Sequence, residues 1–76
     1  MALEKYKAMH GKSGVTHYEI SDTAITVIFN DTAYLYSYVR PGRRHVEIMK
    51  ELARQGHGLS TYISQNINDD YELKYP

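Results

Sequence analysis

Apolar and polar positions alternate through the first half of the chain and change to a helical repeat after Pro41. From Val15 to Ser21, Tyr18 and Ile20 fall on one face and His17 and Glu19 on the other, the two-residue period of a half-buried strand. Ala24 to Phe29 is β-branched and aromatic almost throughout, which suits a central strand apolar on both faces. Asn30-Asp31 predicts a two-residue hairpin turn, because both residue types tolerate positive φ. Thr32 to Val39 is a third strand, with Tyr34, Tyr36 and Tyr38 on one face and Ala33, Leu35, Ser37 and Val39 on the other. Pro41 and Gly42 end it. Val46, Met49, Leu52 and Ala53 then recur at helical spacing, and Gly56 predicts a stop. Leu59, Tyr62, Ile63 and Ile67 form a second stripe, with Ser60 as its expected cap.

These patterns predict strands near 15–21, 24–30 and 32–39 and helices near 43–55 and 59–67. The expected fold class is α+β: a three-stranded antiparallel β-meander followed by two helices packed on one face. Residues 1–13 read as an N-terminal arm or short helix, since Leu3, Tyr6 and Met9 lie three apart; 14–71 form a single domain and 72–76 a tail, and the stretch from Asn68 to Pro76 is acidic and tyrosine-bearing. Ile25, Val27, Phe29, Val46, Met49, Leu52, Leu59 and Ile63 are the expected core. Which face of the third strand meets the helices is open. If Leu35 and Val39 point inward, the tyrosines are outside.

Composition narrows the classes. Seventy-six residues make one domain with a thin core. Nine Lys and Arg balance nine Asp and Glu, which argues against a dedicated nucleic-acid coat. The absence of cysteine removes disulfides and thiolate metal sites, and fits a reducing compartment. No apolar run approaches a membrane span and no signal region is visible at the start, so a cytoplasmic, non-membrane protein is expected. Eight tyrosines stand against one phenylalanine and no tryptophan, a bias toward half-exposed and interface positions.

The candidate chemistry lies where the third strand meets the first long helix. Arg40, Arg43, Arg44 and His45 gather at the predicted helix start, where the macrodipole is already positive and acids are the usual choice. Free helix N–H groups and arginine forks suit phosphate. Tyr36 and Tyr38 precede them and could stack on bases. The alternative is a solvated basic loop beside tyrosines that pack under the helices. The four histidines, His10, His17, His45 and His57, lack short metal-ligand spacings, so no metal or cofactor is expected. No nucleophile elbow or phosphate-binding glycine loop is present, and no catalytic residue is assigned.

Tyr34-x-Tyr36-x-x-Val39 with a proline soon after, an amphipathic helix, and Gly56-x-x-Leu59-x-x-x-Ile63 resemble the KTSC domain over Gly14 to Tyr71. Arg40 separates the valine from the proline, which the family pattern joins. The resemblance implies a module like that at the C-terminus of some lysyl-tRNA synthetases and in stand-alone bacterial and phage proteins. It places the chain near RNA metabolism by association and carries no catalytic residues. The expected function is a small non-catalytic binding module for RNA or another polyanion. A protein–protein or self-association module using open sheet edges, giving a homo-oligomer, is the alternative. A small enzyme ranks last.

Overall fold

In the computed structural model, residues 3–7 and 14–75 are described. The elements run β1 (Glu4–Lys5), β2 (Val15–Ile20), β3 (Ala24–Phe29), β4 (Thr32–Ser37), α1 (Arg43–Gln55), α2 (Leu59–Tyr62), a π-helical continuation (Ile63–Ile67) and β5 (Leu73–Tyr75). The α+β class and the two helical stretches agree with the sequence. The strand count does not: the sheet has five strands, in the order β1-β2-β3-β4-β5, every neighbouring pair antiparallel.

The two extra strands come from the ends expected to be arm and tail. Glu4 and Lys5 pair with Tyr18 and His17, so the arm enters the sheet rather than a helix. Leu73 to Tyr75 pair with Leu35 to Ala33 and turn the expected tail into an edge strand. Both are too short to show a period of their own. The expected short helix also drew on Met9, which lies outside the described residues.

The central hairpin follows from its residues. Asn30 takes φ +54°, and Phe29 pairs with Thr32 across the turn. Val27 faces Tyr34 and Ile25 faces Tyr36, so these four share one side of the sheet. The helices cover that side. Val46, Met49 and Leu59 are fully buried against Ile25, Val27 and Tyr36. Six of the eight expected core residues are buried; Phe29 and Leu52 are half-buried and pack at the margin. Leu52 yields its place to Lys50, which completes the inward stripe Val46, Met49, Lys50, Ala53.

The arm is pinned from inside. Tyr6 is 4% exposed, packs edge-on to Tyr18, and its hydroxyl accepts the N–H of Leu59 at 3.2 Å. That bond serves the first turn of α2, which has Gly58 at its cap and no side-chain cap; Ser60, the expected cap, lies inside the helix. Gly56 ends α1 in the left-handed region, its N–H donating to the carbonyls of Leu52 and Ala53. A Cβ there would also meet the Lys7 Cβ at 2.8 Å, so the position needs glycine for both φ and space. No helix among the described residues is long and apolar enough to cross a membrane.

Candidate anion-binding helix start and the tyrosine stripe

The strand ends two residues earlier than its pattern, at Ser37, and the cause is local. Ser37 is buried, and its hydroxyl accepts the N–H groups of Val39 and Arg40, both at 3.2 Å. Its N–H donates to the Arg40 carbonyl, and its carbonyl accepts the N–H of Gly42. Four hydrogen bonds on one serine bend the chain out of the sheet. Val39 is left 85% exposed, and the cis Arg40–Pro41 peptide leads into the helix.

Gly42 holds the N-cap of α1 at φ +117°, with no side-chain cap and no acid in the first turn. The first internal helix bond runs from the Val46 N–H to the Gly42 carbonyl. The N–H groups of Arg43, Arg44 and His45 therefore lie ahead of the hydrogen-bonded ladder. Arg43 and Arg44 are exposed beside them.

The remaining expected site residues divide. Arg40 is exposed, but its Nε already donates to Asp70 at 2.6 Å. His45 is half-buried, with Nδ1 2.7 Å from the Tyr62 hydroxyl. Tyr38 lies at the helix start, its ring 5.7 Å from the Arg43 guanidinium and 5.5 Å from the Lys50 ammonium. Its hydroxyl donates to Glu47 at 2.6 Å. That bond raises the Tyr38 hydroxyl above its ordinary range and holds the Glu47 carboxyl below its own, with Lys50 adding to the second effect. Tyr36 does not belong to this surface. It is 1% exposed and packs against the helices, so its ring cannot stack on a base. Expecting it beside the arginines took strand alternation for accessibility.

Lys50 is the feature that sequence reasoning missed. It is 5% exposed, and its ammonium donates to the Asp22 carbonyl and meets Glu47, both at 3.0 Å. Its position in the i, i+3, i+4, i+7 stripe with Val46, Met49 and Ala53 was the available signal. The buried ammonium adds a further cation behind the arginines.

The stripe's other two rings, Tyr34 and Tyr36, belong elsewhere. With Phe29 and Tyr71 they form a cluster with centroids 5.0–6.5 Å apart, mostly edge to face. No protein-family model, curated protein or solved structure matches the chain.

Proposed function

We propose that the protein is a small non-catalytic binding module that contacts RNA or another phosphate-bearing partner through the start of α1. The observation that carries this reading is the first turn itself. Two exposed arginines flank three backbone N–H groups that no side chain caps, and no acid occupies the turn. An anion would offset the unfavourable clustering of positive charge there. Glu47 does not do so, because Tyr38 and Lys50 already engage its carboxylate.

Tyr36 is inside, and the Tyr38 ring already lies beside two cations. The reading therefore favours phosphate contact over base stacking, with contact positioning the partner and not reading its sequence. It is compatible with the KTSC resemblance and a cytoplasmic setting, which we retain as part of the proposal. Few phosphates would be touched, so binding should be modest and fall with salt at a slope set by that number.

The test is titration of labelled protein with single-stranded RNA, single-stranded DNA and duplex DNA at two salt concentrations. Amides of 42–46 should shift with all three, more at low salt. The Arg43→Glu, Arg44→Glu double variant should fold and lose the response. Unmoved amides at low salt would refute the reading.

One observation favours the alternative of self-association or protein binding. By register, Ile28, Ala33, Leu35, Leu73 and Tyr75 share the sheet face away from the helices. Leu73 and Tyr75 are 44% and 49% exposed. Sedimentation at high concentration tests this, and a strict monomer would remove self-association.

A further inference from the structure

A cavity of about 450 Å³ opens between the sheet and the π-helical segment, lined by the rings of Phe29, Tyr34, Tyr36 and Tyr71 and by Asp69 and Lys74. Its volume falls in the range of small-molecule sites. It makes no use of the arginines at the start of α1, and its lining is aromatic with one carboxylate and one ammonium.

Three observations define what it suits. First, it already receives an ammonium: Lys74 Nζ sits over the Tyr34 ring, 5.6 Å from the centroid. Aromatic faces attract cations through their quadrupole, most strongly where water is excluded. Second, the Asp69 carboxylate lines the cavity and forms no ion pair or hydrogen bond among the described residues. It is a counter-ion without a cation. Third, Tyr36 is 1% exposed and its hydroxyl bonds no group among the described residues, yet no side-chain polar atom there is sealed away unsatisfied. Tyr36 also lines the cavity. Burial, then the neighbouring Tyr34, Tyr71 and Asp69, push its ionisation well upward, so it remains a neutral group with a proton to donate.

We propose that this cavity is a binding site for a small organic cation, an alkylated ammonium held over the rings of Tyr34 and Tyr71 with Asp69 as counter-ion. Lys74 occupies the same ring face and is displaced on binding. Asp69 repels phosphate, and the lysine among the lining residues already lies over the Tyr34 ring.

Choline chloride is the probe, read by ring-carbon NMR shifts of Tyr34, Tyr36 and Tyr71. Sodium chloride at matched ionic strength and the neutral carbon isostere 3,3-dimethylbutan-1-ol are the controls. Choline should give saturable shifts at Tyr34 and Tyr71 in the millimolar range, and the isostere should bind roughly tenfold more weakly. Asp69→Asn should weaken choline binding severalfold. Lys74→Ala should strengthen it by removing the internal competitor. Both side chains lie at the surface, and an unchanged amide spectrum elsewhere certifies the fold of each variant. Equal affinity for choline and its isostere overturns the proposal, as do shifts matched by sodium chloride alone. Weaker choline binding by Lys74→Ala overturns it too, since the lysine would then be part of the site.

Discussion

Tyr36 and Tyr38 lie two residues apart on one side of the same strand pattern, and they meet different environments. Tyr36 sits buried against the helices and lines a cavity. Tyr38 lies past the end of β4, half-buried, with its hydroxyl on Glu47 and its ring beside Arg43 and Lys50. Alternation tells which side of a sheet a residue takes. Depth depends on the backbone as well, and here the turn at Ser37 carries Tyr38 out of the sheet to the margin of α1. One tyrosine belongs to an aromatic cavity and the other to a basic helix start.

The largest expected effect tests the depth difference. Tyr36→Ala removes a fully buried ring and should cost about 3–5 kcal/mol. Tyr38→Ala loses one exposed hydrogen bond and some packing, and should cost much less. Urea denaturation of the two variants measures both. Similar losses would erase the distinction. Within α1 the same logic expects Met49→Ala to cost about 2–5 kcal/mol, and the half-buried Leu52 less.

Much of the fold is legible in the sequence, and the exceptions have physical reasons. The β3–β4 hairpin shows because branched apolar residues surround a turn suited to Asn30. Both helical stripes show because their periods run over several turns. The edge strands do not show, because two and three residues carry no period and form only on a strand already in place. The basic helix start is visible as a breach of charge placement. Lys50 leaves only its place in the α1 stripe as a signal; the Ser37 turn and the arm's Tyr6 leave none, since each depends on backbone geometry or on a partner distant in the chain. Tyr6 and Leu59, for example, are 53 residues apart.

The next effect in size concerns how each end is held. Ser37→Ala deprives two backbone N–H groups of their acceptor and should cost about 1–3 kcal/mol. It should loosen Arg40 and the start of α1 while leaving the cavity rings in place. Tyr6→Phe removes the acceptor of the Leu59 N–H at a similar cost and should loosen the other end. Hydrogen exchange separates them: faster exchange at Val39, Arg40 and Gly42 in the first variant, and at Leu59 in the second. A reversed pattern would contradict the assignment of these bonds.

A smaller effect appears in alkali. The Tyr36 hydroxyl is raised from its ordinary 10.0 chiefly by burial. Above that pH the unfolded chain releases this proton and the folded chain keeps it. Stability is therefore full below about 10 and falls as pH rises toward the folded value. Tyr38 is raised as well, by its bond to Glu47, but in an exposed setting. Tyr36→Phe should flatten the alkaline limb of a melting-temperature profile more than Tyr38→Phe does. The opposite order would place the buried hydroxyl at Tyr38.

The smallest effect lies on the acid side and belongs to the helix start alone. Glu47 accepts from Tyr38 and Lys50, and these contacts lower its carboxyl from the ordinary 4.5. A depressed carboxylate contributes stability that is complete above its unfolded value and lost as pH falls through the folded one. Glu47→Gln should therefore melt slightly below the parent at neutral pH, and the two profiles should converge in acid. Because the site is exposed, salt should shrink the gap. The same change removes a carboxylate near Arg43 and should tighten phosphate binding at the start of α1. It should leave choline binding at the cavity unchanged. If Glu47→Gln altered both ligands equally, the two regions would be one electrostatic unit, and the contrast between Tyr36 and Tyr38 would reduce to packing.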